Sequence, residues 1–248
     1  MKKLFFALIA GITLVSSAAT SEWLRVPEIL ARIVPPQFAN RDFPITDFGA
    51  VADGKTDATA AIAKAIDACA QAGGGRVVVP AGEFLTGPIH LQSNVELHLA
   101  ATNSVLKFNP DPKAYLPAVF TRYEGIECYN YSPLIYAFDL TNVAVTGAGT
   151  LDGQADATWL AGKGRNGKAV GTQTTARARL AQMNNDGVPV SERVFGEGDF
   201  LRPNFIQFNR CRNVLIEGVK IRRSPMWEIH PLLCTNVIVR GEIGRAHV

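Results

Sequence analysis

The sequence predicts an all-β solenoid, a right-handed parallel β-helix with one N-terminal capping helix. Three observations lead there. Cys211-Arg212-Asn213-Val214-Leu215-Ile216-Glu217-Gly218 returns 23 residues later as Cys234-Thr235-Asn236-Val237-Ile238-Val239-Arg240-Gly241, with Cys, Asn, Val and Gly in place. Earlier traces stand at Thr141-Asn142-Val143-Ala144-Val145-Thr146-Gly147 and Ser93-Asn94-Val95-Glu96-Leu97, and the 48 residues from Asn94 to Asn142 read as about two periods. Within each copy β-branched residues recur at alternate positions, the period of a half-buried strand. A repeat in the low twenties built on such strands is a stack of coils. Val214 and Ile216 then face inward, with Val237 and Val239 one coil on, while Leu215 and Ile238 face outward. Each Asn starts a strand, tolerates a left-handed bend there, and can pair its amide with the Asn of the next coil. A leucine-rich repeat is the competing solenoid, but its Leu spacing is absent.

In order along the chain, residues 1–19 read as a secretory signal. Lys2-Lys3 precede an apolar run from Leu4 to Val15, and Ser17-Ala18-Ala19 supplies small residues for cleavage. That run is too short to span a bilayer comfortably. A secreted or periplasmic protein with no membrane span is the expectation. Residues 20–43, with Pro27, Pro35 and Pro36, form a lead-in without a core of its own. The β-helix domain covers 44–241. Ile45 to Gly49 reads as a short strand and Ala50 to Thr56 as a loop. Asp57 caps a helix from Ala58 to Ala72, with Ile62, Ile66 and Cys69 at helical spacing, ended by Gly73-Gly74-Gly75. Such a helix shields the open end of a solenoid core. Strands follow at Arg76–Pro80, Val95–Leu99, Val105–Phe108, Leu134–Leu140 and Val143–Gly149, with a Pro- and Tyr-rich loop at 109–133. Residues 152–198 break the pattern as a long insertion with a helix around Thr175 to Met183. The insertion either overhangs a site or is a solvated excursion.

The formal charge of the 248 residues is +3, about +1 without Lys2 and Lys3, so no global charge draws the chain to nucleic acid. Between Arg202 and Arg240, however, seven basic residues (Arg202, Arg210, Arg212, Lys220, Arg222, Arg223, Arg240) face only Glu217 and Glu228, a local +5. A basic strip of that kind suits an anionic polymer, and a solvated outer face explains it equally. Stacked Cys211 and Cys234 would sit one strand spacing apart with parallel Cβ vectors, which favours a buried thiol ladder over a disulfide.

Gly49-Ala50-Val51-Ala52-Asp53-Gly54-Lys55-Thr56 matches the phosphate-loop pattern letter for letter. Asp53, directly before Gly54, would put a carboxylate where a phosphate should sit, and alternating strand–helix units are missing. Nucleotide binding is rejected on those grounds. The four histidines show no metal spacing, and no metal or cofactor is expected. His98, between Leu97 and Leu99, reads as an outward or stacked structural residue. Turn and cap roles explain Asp47, Asp53 and Asp57 as well as calcium does.

Three stretches carry a family resemblance. Ile45-Thr46-Asp47-Phe48-Gly49-Ala50 with Asp53 to Asp57 resembles the opening of pectin-degrading β-helix proteins. Gly147-Ala148-Gly149-Thr150-Leu151-Asp152-Gly153-Gln154 with Trp159 is similar to the glycine–aspartate segment of polygalacturonases. Arg202-Pro203 and Ser224-Pro225-Met226-Trp227-Glu228-Ile229-His230-Pro231, with the two Cys-x-Asn-Val copies, resemble the coils before that family's active site. The resemblance implies an inverting hydrolase of galacturonan or a related pectic chain, monomeric when complete. One carboxylic acid protonates the leaving oxygen while a carboxylate ~6.5–9.5 Å away activates water. The family's Asn-Thr-Asp, Asp-Asp, Gly-His-Gly and Arg-Ile-Lys segments do not occur in this sequence, so no catalytic residue is assigned. The chain is expected to be the N-terminal part of such an enzyme, inactive as it stands. Residues 242–248 are expected to be a tail not native to the fold, since Glu242 and Gly244 fall where the repeat has Val219 and Ile221, core positions filled by a charge and a glycine. Arg202, Trp227 and His230 are the candidate sugar-contacting residues, with Pro225 and Pro231 expected to hold Trp227 and His230 in an outward turn. A calcium-dependent pectate or pectin lyase and a non-catalytic carbohydrate-binding β-helix are the alternatives.

Overall fold

The structure, a computed structural model, describes residues 23–160, 173–241 and 243–244. The signal-like segment lies outside the described residues, as do Gly162, Gly164, Gly167 and Gly171 of the insertion. Residues up to Val34 form a unit of their own. Within it α1 (Val26–Ala31), with Pro27 in its first turn, buries none of its residues.

From Pro35 onward the chain winds as a right-handed parallel β-helix with three sheets. The first sheet runs β1 (Asp42–Pro44), β3 (Gly75–Val79), β6 (Val95–Leu99), β11 (Thr141–Gly147), β14 (Arg212–Glu217) and β17 (Thr235–Arg240). The second stacks β2 (Asp53–Asp57), β4 (Gly82–Thr86), β7 (Ser104–Phe108), β12 (Thr150–Asp152), β15 (Lys220–Arg222) and β18 (Ile243–Gly244). The third holds β5 (Ile89–His90), β10 (Ile135–Phe138), β13 (Ile206–Asn209) and β16 (Ile229–Leu232).

The repeat register is as expected: Val214 lies opposite Val237 and Ile216 opposite Val239. Val143, Val145, Val214 and Ile216 are fully buried in the core. The outward Leu215 and Ile238 join Ala144 in a second apolar patch under Phe38 of the lead-in. The expectation that the register ends at Gly241 is corrected at Ile243–Gly244: offset 23 continues in the second sheet, where Lys220 pairs with Ile243 and Ile221 with Gly244, because backbone pairing does not depend on the side chains there. The asparagines form a ladder, with Asn142 Nδ2 donating to Asn94 Oδ1, Asn213 to Asn142 and Asn236 to Asn213, at 3.0, 2.9 and 3.0 Å. All four adopt the left-handed conformation, with φ between 53° and 65°. The repeated glycines have a reason too: a Cβ on Gly147 would collide with the Leu99 carbonyl, and one on Gly218 would stand 2.7 Å from Gly147 O.

The spacing from Asn94 to Asn142 is one coil rather than two, because Val95 pairs directly with Val143. The surplus residues leave the coil between the second and third sheets. They form an antiparallel hairpin, β8 (Val119–Tyr123) and β9 (Ile126–Asn130), where the sequence reads as loop. The next coil departs at the same corner, between β12 and β13, and contributes α3 (Gln173–Asn185). Tyr123, Cys128, Ala176, Leu180, Phe195 and Leu201 from the two excursions share a small core of their own.

Two local expectations are corrected at the N-terminal end. Ile45–Phe48 is a 3₁₀ turn, with Ile45 buried and Gly49 left-handed at its end, and the strand lies just before it. Asp53–Asp57 is strand, not loop. Thereafter α2 (Thr59–Gln71) buries Ile62, Ile66 and Cys69 in the core, and Asp57 Oδ1 accepts from the Thr59 N–H at 2.8 Å.

Candidate functional site

Register on the third sheet sets one outward row: His90, Tyr136, Gln207 and His230. The hairpin lies over its middle. Tyr136 Oη donates to Phe120 O at 2.6 Å, and Gln207 Nε2 donates to Thr121 Oγ1 at 2.5 Å. His230 sits on β16, the last strand of that sheet. The sequence expectation of a turn is therefore corrected: His230 is in a strand. Pro231 is tolerated beside it because an edge strand can spare one N–H.

His230 is only 8% exposed while Trp227 is 46% exposed, and their rings meet edge to face at 4.6 Å. Asn204 Nδ2 reaches His230 Nδ1 at 2.7 Å and Gln207 Oε1 at 3.0 Å. Burial holds the imidazole pKa below its ordinary value, favouring the neutral ring at pH 7. Neither Asn204 nor Gln207 stands out in the sequence reading. The signal was available in Ile206-Gln207-Phe208-Asn209, where amides alternate with core residues in a strand buried on both faces.

Arg202 belongs to a neighbouring cluster. Its Nε donates to Gln173 Oε1 at 3.0 Å, and the Tyr123 hydroxyl donates to the same oxygen at 2.7 Å. Burial lowers the Arg202 pKa and pushes Tyr123 up to about 12. Among the described residues, no carboxylate forms an ion pair with Arg202, and no hydrogen bond or ring contact joins it to Trp227 or His230. The structure thus brings Trp227 and His230 together and keeps Arg202 apart from both.

The basic residues do not form one strip. Arg222 and Arg223 both grip Asp152, which is fully buried on β12. Burial alone would raise the Asp152 pKa, but the Arg223 hydrogen bonds, the Gln154 N–H and both guanidinium charges hold it below the usual carboxylate value. Arg240 forks onto Glu217 at 2.6 and 3.2 Å. Arg210 lies 3.7 Å from Glu127 and over the Phe120 and Phe138 rings. Arg212 and Lys220 stand on different sheets.

The phosphate-loop look-alike closes on itself. Asp53 Oδ1 accepts from the N–H groups of Lys55 and Thr56, each at 2.8 Å, and Oδ2 accepts from Thr56 Oγ1 at 2.7 Å. These bonds pull its pKa to about 2, so an internal carboxylate takes the donors a phosphate would need. His98 Nδ1 lies 2.8 Å from Thr146 Oγ1, which donates to Glu96 at 2.5 Å. His98 Nδ1 also stands 3.5 Å from Glu96 Oε1, so both contacts run through one ring nitrogen and His98 does not bridge a nucleophile and an acid. The cysteines are free thiols, Cys211 buried and Cys234 partly so.

Comparison with known proteins places this geometry. A hyperthermoactive exopolygalacturonase from Thermotoga maritima matches 88% of the chain with 52% identity and a TM-score of 0.83. The chain is polygalacturonase-like in sequence and fold. A probable polygalacturonase of Vitis vinifera is 27% identical over 206 residues, 79% of the chain. The family model described as rhamnogalacturonase A/epimerase, pectate lyase-like, matches residues 43–117. A mannuronan C5-epimerase of Azotobacter vinelandii is 48% identical over 62 residues, 22% of the chain and 3% of its own length. This polygalacturonase-like chain spans 50% of the Thermotoga protein and 35% of the Vitis protein.

Proposed function

We propose that the chain forms the N-terminal coils of a secreted or periplasmic hydrolase acting on pectic polysaccharide, of the polygalacturonase type. The 52% identity to an exopolygalacturonase over 88% of the chain carries this reading. On it, the paired aspartates of inverting hydrolysis belong to coils that follow this chain. Residues 1–19 act as the export signal. The margin of the third sheet holds sugar: Trp227 offers a half-exposed ring to a pyranose and His230 a polar contact beside it. Arg202, half-buried and in no ion pair among the described residues, takes a uronate carboxylate, the acceptor its fork fits best.

The test is release of reducing ends from polygalacturonate. The chain alone is expected to release none, and a protein extending it by the further coils is expected to release them. Hydrolysis by the chain alone would overturn the assignment and direct the search to Asp152, Asp156, Asp186, Asp199 and Glu228. No hydrolysis by the extended protein would overturn the reaction type.

A further inference from the structure

A one-way relay of hydrogen bonds ends at His230. Gln207 Nε2 donates to Thr121 Oγ1 at 2.5 Å, and Gln207 Oε1 accepts from Asn204 Nδ2 at 3.0 Å. The same Asn204 nitrogen meets His230 Nδ1 at 2.7 Å. An amide nitrogen has two hydrogens and nothing with which to accept. With Asn204 so oriented both of its hydrogens act as donors, its Oδ1 is left buried without a hydrogen bond among the described residues, and His230 Nδ1 carries a lone pair. In a neutral imidazole the proton then stands on Nε2. Nε2 has no protein partner among the described residues. Thr121, Asn204, Gln207 and His230 are each 8% exposed or less, and in such a dry chain two donors facing one another would be strongly unfavourable. Beside the free N–H lies the half-exposed Trp227. A donor next to an indole suits a sugar, whose C–H face lies on the ring while an oxygen takes the hydrogen bond.

We infer that Asn204 and Gln207 are positioning residues that hold His230 as the Nε2–H tautomer, so that it donates to an oxygen of a saccharide lying against Trp227. The inference rests on the sugar-site reading above and adds the direction of the hydrogen bond. Thr121 anchors the relay from the hairpin, so the first excursion holds the amides behind a contact made more than a hundred residues later.

The test is long-range ¹H–¹⁵N NMR on the full chain with ¹⁵N-labelled histidine. Only four histidines contribute, and His230→Gln identifies the resonance. The expected spectrum has the proton on Nε2 and a bare Nδ1. Asn204→Asp puts a carboxylate acceptor against Nδ1 and should move the proton there. Trigalacturonate should shift the Nε2 signal in the unmutated protein and bind about tenfold more weakly to Asn204→Asp, the worth of one hydrogen bond to a buried site. If that variant fails to fold, the unmutated spectrum still decides. A proton on Nδ1 in the unmutated protein overturns the positioning roles. An Nε2–H tautomer that does not respond to trigalacturonate overturns the sugar site on which they rest.

Discussion

Asn213 has two separate functions within one coil. Its backbone takes a φ of 54°, and its amide links the ladder on both sides, donating to Asn142 and accepting from Asn236. Asn213→Ala removes both bonds and leaves a β-carbon in the left-handed region, for a loss of about 2–4 kcal/mol. Asn213→Gly keeps the backbone freedom and should lose less, and urea midpoints of the two variants separate the contributions. Asp152 offers a pH prediction. Its folded pKa is depressed, so its stabilisation is complete above the ordinary carboxylate range and is lost as pH falls through the folded value. Asp152→Asn should destabilise at pH 7 by about 1–3 kcal/mol, because the carboxylate is buried but both arginines are substantially exposed. The penalty should shrink as pH falls below the ordinary carboxylate range, and thermal melts carried into acid check it. Both residues show how legibility depends on locality. The Asn ladder follows from a repeat spacing, whereas the Asp152–arginine contact joins positions 70 and 71 apart that only the coil register brings together.

Between residue and molecule, the informative elements are the hairpin β8–β9 and α3. Neither belongs to the coils, and together they bury Leu180, Phe195, Tyr123 and Cys128 in a core separate from the solenoid. Leu180→Ala, with Leu180 1% exposed, should weaken this sub-core by about 2–5 kcal/mol. Hydrogen exchange should then show residues 119–130 and 173–201 losing protection together while β14 keeps its own. Uniform loss would mean that the excursions and the coils unfold as one unit. The helix is legible in the sequence because it is local. The hairpin is not, because its inward residues face the outer side of a sheet whose polar row, Tyr136 and Gln207, only makes sense once covered. Candidate-site residues divide in the same way. Trp227 and His230 carry a recognisable segment, while Asn204 is an unremarkable amide until the register of β13 and β16 places it against the imidazole.

At the scale of the molecule, a short offset of 23 proved sufficient to place the pairing, since Ile216 and Val239 do pair across coils, although Val239, on the last strand of its sheet, is 44% exposed. Ile216→Asp should prevent folding, because an unpaired carboxylate in that core costs several kcal/mol. Recovery of soluble, cooperatively melting protein would contradict the core assignment. Coil length was not legible from the repeat, because excursions of unequal size leave at one corner and stretch a coil from 23 to 48 and 71 residues. That corner borders the third sheet, where the candidate sugar site stands. The most direct test is calorimetric titration of the chain with trigalacturonate and with its uncharged methyl ester. Arg202→Ala should weaken the acid about tenfold and leave the ester unchanged, as expected for loss of one charge-assisted hydrogen bond. His230→Ala should weaken both ligands. If neither ligand binds, or if both bind the two variants as they bind the unmutated chain, a pectic sugar does not occupy this margin.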